Sequence, residues 1–392
     1  MERIKKTMVR HSSRINLSQS ALKTNFNFIR KKVGKNVIIS SVVKANAYGH
    51  GIHEFVPMAE KCGINHFSVA SSFEAEEVLE VCSKDTRIMI MGILYKEDIP
   101  WAIEHGIEFY VFNYERLESV IEAVKDLNKK AIVHLEVETG ANRTGLNAED
   151  FSNALKFLKD NQEFIQFEGL CTHLGGAETL ANKFKIDTQI ERYKAFLEEC
   201  KAMDYMPHLR HIASSAAALA FEETRFDMVR VGVAQYGFWP SPDIRYLHLQ
   251  QTNKTTENGL RRIITWKTDV MDLRTVKAGE FVGYGTAFQA VQDIRIAVLP
   301  LGYSNGYPRA LSNRGQVLIK GKKAPIVGLI NMNLFMVNIS HIPDVKIGDE
   351  VVLVGRQKNN VINVSSFTDT TQLLNNEMLS RLPAAIPRKA VP

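Results

Sequence analysis

The stretch SVVKANAYGHG (41–51) puts one amine, Lys44, after an apolar run and before small residues gathered round Tyr48 and His50. A lysine that loses water contact has its pKa lowered from ~10.4, and its neutral amine can form a Schiff base with a carbonyl compound. The neighbours suit that chemistry. Ala45 and Ala47 leave room, Gly49 and Gly51 allow close backbone approach, and a helical pattern from Ile52 brings an N-terminal dipole. Taken alone, VVK also fits an ordinary loop lysine. Four more residues invite the same double reading. Arg230 in MVRVG fits either an anion or ring partner or a strand-end arginine paired with Asp227; Tyr284 in VGYG, either a base or a turn aromatic. His173 and His211 each end an apolar run, where a hydrogen-bonded structural histidine is common.

A lysine at a strand end needs a sheet to hold it. Eight β-rich runs, at 37–43, 66–70, 87–92, 108–112, 131–137, 167–173, 209–213 and 227–232, alternate with amphipathic helical patterns. Eight strand-helix pairs over some 240 residues fit a (β/α)8 barrel of the TIM type, with a doubly wound sheet as the competitor. In a barrel the C-terminal ends of the strands carry the site, and Lys44 follows the first strong strand. After Ser241 the helical periodicity stops, and ITWKTDVMDLRTV, GEFVGYGTAF, IRIAVLP, GQVLIKG, APIVGLI and DEVVLVG are strand-like between Gly, Pro and Asn turns. The expected organisation is an α/β barrel over 14–247 and a predominantly β domain over 248–392. The polar run HLQQTNKTTENG (248–259) links them, and a short extension, residues 1–13, is free to pair with the last domain.

Composition excludes several classes. The 392 residues are 45% hydrophobic, with no run near the ~18 apolar residues of a membrane span, and MERIKKTMVRHSSR has charge without an apolar core behind it. A cytoplasmic location and no membrane partner are expected. Cys62, Cys82, Cys171 and Cys200 lie far apart without ligand spacing, so neither a disulfide framework nor a metal site is implied. The net charge of +6 is spread along the chain without a basic block, so no nucleic-acid partner is expected.

The chain resembles the alanine racemase family over almost its whole length. VVKANAYGHG is similar to that family's cofactor-lysine motif, and the likeness continues through VETGANRTG (137–145), CTHLGGAET (171–179), HIASSAAA (211–218), DMVRVGVAQYG (227–237), VGYGTAF (282–288), GYSNGYPR (302–309) and IPR (386–388). The resemblance implies pyridoxal 5′-phosphate as cofactor, a small amino acid as substrate and a homodimer with shared sites. Lys44 would hold the cofactor and act as one of two bases, and Tyr284, from the partner subunit, would be the other. Tyr48, Ser215 and the N–H groups of Gly232 and Val233 would bind its phosphate. Arg230, oriented by His211, would bond the ring nitrogen, and His173 would lie against the ring. Arg143 would stand beside the substrate carboxylate and the cofactor oxygen, and the Met332 N–H would bind that carboxylate. An arginine cannot protonate that nitrogen, and a tyrosine of ordinary pKa ~10 needs tuning to act as a base, with His173 and Arg143 the candidates.

Departures from the family pattern bear on specificity. Glu136 stands where many members carry a lysine that becomes carbamylated, and it supplies fixed negative charge instead. Asn333 and Asn305 replace expected aspartates, Leu329 an entry arginine, and Asn376 a tyrosine that contacts phosphate and narrows the entry. A wider, more polar mouth would admit serine, histidine or another larger side chain beside alanine. Two rivals share the cofactor. A barrel decarboxylase would carry an acid at Arg230 and a late cysteine, and a single-barrel carrier protein would end after the barrel, whereas this chain runs on to Tyr284.

Overall fold

The structure, a computed structural model, describes residues 10–125, 127–253 and 259–392. It divides into two compact units: residues 20–47 with 55–262, and residues 10–19 with 48–54 and 263–392.

In the first unit, strands Ile38–Val42, His66–Ser71, Arg87–Ile93, Glu108–Val111, Ala131–Glu136, Ile165–Cys171, Leu209–His211 and Met228–Val231 follow one another in one parallel sheet, with Met228–Val231 paired back to Ile38–Val42. The remaining seam closes by backbone bonds, Asp227 N–H to Arg210 O at 3.1 Å and Arg230 N–H to Ala213 O at 3.0 Å. The result is the (β/α)8 barrel, and all eight strand readings fall on strands. Parallel strands are covered on both faces, which is why they read as apolar runs rather than alternating ones. The helices around them start at the residues that favour starts. Ser71 Oγ accepts from Glu74 N–H, Asn113 Oδ1 from Arg116 N–H and Asn147 Oδ1 from Asp150 N–H, each cap contributing ~1 kcal/mol. Helix Ala148–Asp160 buries Phe151, Ala154, Leu155 and Leu158, a single face at helical spacing. The polar run read as a linker begins inside helix Pro242–Thr252, and residues 254–258 lie outside the described residues.

The second unit is a mostly antiparallel sheet. Its strands run in the order Asp272–Val276, Ile294–Leu299, Phe335–Asn338, Lys322–Val327, Gln316–Ile319, Glu350–Gln357, Ile264–Asp269, Ser13–Ser18 and Arg388–Val391. Ser13–Ser18 alternates buried and half-buried residues and pairs with Ile264–Asp269, Ile15 opposite Trp266, so residues 14–18 belong to this sheet. The first nine residues of the N-terminal extension lie outside the described residues. GEFVGYGTAF is no strand. It holds one bridge, Phe281 to Gln289, around a turn whose Gly283 and Gly285 have φ of 74° and 67°, a left-handed conformation that favours glycine.

The IPR motif ends in a clamp. The Arg388 guanidinium donates to the carbonyls of Pro383 (3.1 Å), Ala384 (3.0 Å), Ile386 (2.6 Å) and Gly49 (2.9 Å), which ties the 48–54 segment to the C-terminal strand. A Cβ at Gly49 would collide with the carbonyl of Leu379, so that position needs glycine.

Candidate active site

Lys44 stands two residues past strand Ile38–Val42, at the C-terminal mouth of the barrel. Three side chains fix the strand end before it. Gln235 Nε2 and Tyr236 Oη both donate to the Val42 carbonyl, at 2.8 and 2.9 Å, and Ser41 Oγ donates to Gln235 Oε1 at 2.7 Å. After Lys44 the backbone turns left-handed for four residues, with φ of 54°, 52°, 52° and 52° at Ala45, Asn46, Ala47 and Tyr48. None is glycine, and such a turn costs roughly 1–2 kcal/mol per residue. Glu74 supports it, taking the Ala45 N–H at 2.6 Å on one oxygen and the Ala70 N–H at 2.7 Å on the other. The carboxylate thus binds two neighbouring strand ends together. Its part in the site was not readable from FEAEEVLEVC, where it looks like one more acid on a helix face.

Lys44 is exposed at the barrel mouth, but the protein packed round its amine lowers its pKa, the Arg143 and Arg230 charges lower it further, and Glu74 opposes them. His173 follows the strand Ile165–Cys171 and is pushed down to about 3 by burial and by Arg230, Arg143 and Lys44. Its ring is therefore neutral near pH 7. Glu136 is buried beside the same arginines. Burial raises its carboxyl pKa, against the hydrogen bond from Thr144 and the pull of Arg230 and Arg143.

Arg230 is buried on the last barrel strand, where Nη1 lies 2.7 Å from His211 Nδ1 and 2.8 Å from His211 O, and Nη2 donates to Thr172 O at 2.8 Å. Nearby, Ser215 opens helix Ser215–Ala220, and its Oγ accepts the N–H of Gly232 at 2.9 Å and of Ala234 at 3.5 Å, while Val233 lies between them. Ser214 Oγ is buried with no hydrogen-bond partner among the described residues. One mouth of the barrel therefore collects an amine of lowered pKa, the guanidinium groups of Arg143 and Arg230, and the hydroxyls of Ser214 and Ser215.

The remaining sequence-predicted residues belong to the second unit. Burial pushes the Tyr48 phenol up to about 12, so it stays a hydrogen-bond donor. Tyr284 is 75% exposed on its glycine turn. Met332 is exposed, and its carbonyl accepts from Ser304 N–H at 3.1 Å and Ser304 Oγ at 2.8 Å. Asn333 Nδ2 donates to the same hydroxyl at 2.8 Å, and Asn305 Oδ1 takes the Gly302 N–H at 3.0 Å. Both asparagines thus serve loop hydrogen bonds. Leu329 is half-buried, and Asn376 is exposed in the first turn of helix Asn375–Ser380.

Comparison with known proteins bears on both units. Residues 17–240 match the family model "Alanine racemase, N-terminal domain" and residues 263–390 match "Alanine racemase, C-terminal domain". Among curated relatives, an alanine racemase of Halothermothrix orenii is 33% identical over 380 residues, covering 94% of each chain. One of Leptospira interrogans is 32% identical over 384 residues, covering 97% of this chain and 96% of the other. Among solved structures, alanine racemase of Clostridium difficile 630 superposes with a TM-score of 0.88 at 27% identity, covering 98% of this chain and 97% of its own. The Bacillus anthracis enzyme with bound L-Ala-P gives 0.86 at 27% identity, covering 98% and 96%.

Proposed function

Because this chain belongs to the alanine racemase family of pyridoxal 5′-phosphate isomerases, we propose that it interconverts L- and D-alanine with Lys44 and Tyr284 as its two proton-transfer groups. The observation that carries this reading is Lys44 itself: one lysine, at the mouth of the barrel, with its amine held below its ordinary pKa. The barrel residues suit the cofactor. The unpartnered Ser214 hydroxyl, the Ser215 hydroxyl, which accepts from Gly232 N–H and keeps its own proton to donate, and the Val233 N–H suit a phosphate, with the Gly232 N–H a further donor if it turns from Ser215. Arg230, a pure donor with Nη1 and Nη2 already bonded to protein, suits an unprotonated ring nitrogen. When bound, pyridoxal 5′-phosphate supplies an electron sink for the charge left at Cα.

The chain's own groups divide the work. Lys44 Nζ would anchor the cofactor, and its amine would take or return the Cα proton on one face of the substrate. Tyr284 Oη does the same on the other face, so the proton lost on one side is replaced on the opposite side. Arg143 and the Met332 N–H hold the substrate carboxylate, and Tyr48, protonated because its phenol is pushed up to about 12, donates to the phosphate. His173, neutral near pH 7, packs against the ring without adding charge to the cations around it. Tyr284 reaching its site from a second copy of the chain makes the working form a homodimer. Among the described residues no helix is long and apolar enough to cross a membrane.

The decisive measurement is Cα proton exchange in deuterated water over a panel of L-amino acids, with a visible spectrum before and after borohydride. Alanine should exchange fastest, and reduction should fix the cofactor to Lys44. Faster exchange of serine or histidine would mean that Asn376 and Leu329 have redirected the site. No exchange of any amino acid despite bound cofactor would overturn the racemase reading.

A further inference from the structure

A continuous row of polar side chains runs through the barrel interior, a place normally filled with branched apolar residues. Arg230 Nη1 lies 2.7 Å from His211 Nδ1, His211 Nε2 lies 2.9 Å from His134 Nδ1, and His134 Nε2 lies 2.8 Å from Glu108 Oε2. Glu108 also receives His66 Nε2 at 3.2 Å and the Nε–H of Arg87, which in turn bonds Glu168. Glu108, His66, His134 and His211 are each at most 1% exposed.

The row has a direction that follows from its ends. A guanidinium only donates, so His211 Nδ1 must accept and its proton must sit on Nε2. That N–H points at His134 Nδ1, which forces the His134 proton onto Nε2 as well, facing Glu108. The far end agrees. Burial alone would raise the Glu108 carboxyl, but the pull of His66 and hydrogen bonds from His134 and His66 hold it well below the carboxylate range. Both ring tautomers are thereby held between a donor-only guanidinium at one end and a fixed negative charge at the other, and burial keeps His211 and His134 neutral. Space for the row is built into the backbone: a Cβ on Gly169 would overlap His134 Nδ1.

Such a row is a poor way to gain stability, since a buried ion pair seldom outperforms apolar packing of the same volume. We propose that Glu108, acting through His134 and His211, is a positioning residue for Arg230: it locks His211 in the tautomer that accepts from Arg230, and so fixes the guanidinium opposite the cofactor's ring nitrogen. The proposal rests on the reading of Arg230 as that nitrogen's partner. Glu108 touches neither substrate nor cofactor.

The test uses holoenzyme labelled with 15N in its histidines, with tautomers read from correlations between ring protons and ring nitrogens. In the unaltered protein His211 and His134 should both be neutral with the proton on Nε2, and an Nδ1–H tautomer or an imidazolium at either would overturn the row's direction. In Glu108→Gln the amide can present either O or NH2. His211 should then lose its single-tautomer signature, the cofactor's visible band should move, and kcat should fall on the order of tenfold with KM for alanine within about threefold. Gly169→Ala, which displaces His134 and leaves Glu108 intact, should reproduce the tautomer and band changes, and it decides the matter should Glu108→Gln fail to fold. Folded variants that keep the His211 tautomer, the band and kcat would reject the proposal. Arg230→Gln separates the two levels. A band that moves there but in neither other variant rejects the row alone, and a band that moves in none of the three rejects the Arg230 reading and the row with it.

Discussion

At the residue scale, the groups we propose to do chemistry stood out in the sequence because each sits in a local motif, whereas the groups we propose to tune them did not. Lys44, Arg230 and His211 stand in short stretches whose neighbours hint at their task. Glu108, His134 and His66 come from three strands, and nothing in EFYVF, AIVHLEV or HFSVA says that they meet. Glu136 lies between these cases. It was visible as an acid where a lysine was expected, but its state depends on burial. Its raised pKa means that the carboxylate forms as pH climbs through the folded-state value and is lost as pH falls. The negative partner it offers Arg143 therefore grows with pH. Glu136→Gln should raise KM for alanine about tenfold at pH 8.5, the worth of one charge-assisted bond, with kcat within a few-fold. The penalty should shrink as pH falls through the point at which the buried carboxyl takes up its proton. No KM penalty at pH 8.5 would show that Glu136 is not what steadies Arg143.

At the element scale, the barrel strands were readable because burial on both faces leaves a continuous apolar run. Short strands and glycine turns leave no such mark. Phe335–Asn338 and Arg388–Val391 have four residues each, too few to show a period, and GEFVGYGTAF has strand composition but two glycines in left-handed conformation that end it. The left-handed turn after Lys44 was equally hidden, since Ala45, Asn46 and Ala47 are ordinary residues that take it only because Glu74 and the barrel wall hold them. Strain of this kind, kept at a working site, trades stability for position. Ala45 is exposed, so changes there test the trade without repacking. Ala45→Gly should raise folding stability by ~1 kcal/mol in a urea titration and lower kcat several-fold as Lys44 loses its fixed approach. Ala45→Val should lose at least ~1 kcal/mol, because a β-branched side chain is worse still at that φ. Equal stability for all three would mean that the turn carries no strain.

At the scale of the whole molecule, the residues of the proposed site are divided between the two units. Lys44, Arg143, His173, Ser215 and Arg230 lie on the barrel, Tyr48 belongs to the β unit, and Tyr284 and Met332 stand exposed on it. An exposed tyrosine on a glycine turn gains a catalytic role only if something brings it to a substrate, and we take that to be a second copy of the chain. This arrangement has a consequence that no property of an isolated chain imitates. A Lys44→Ala chain and a Tyr284→Phe chain should each be inactive alone. When they are mixed and allowed to exchange subunits, half of the dimers become mixed, and each mixed dimer holds one site with both defects and one with none. Activity should then return to about a quarter of the wild-type value. Lys44 and Tyr284 of the same chain serving one site would leave every site in the mixture damaged. Exchange confirmed by mass without any recovered turnover would therefore reject the shared site, even if both residues proved essential on their own.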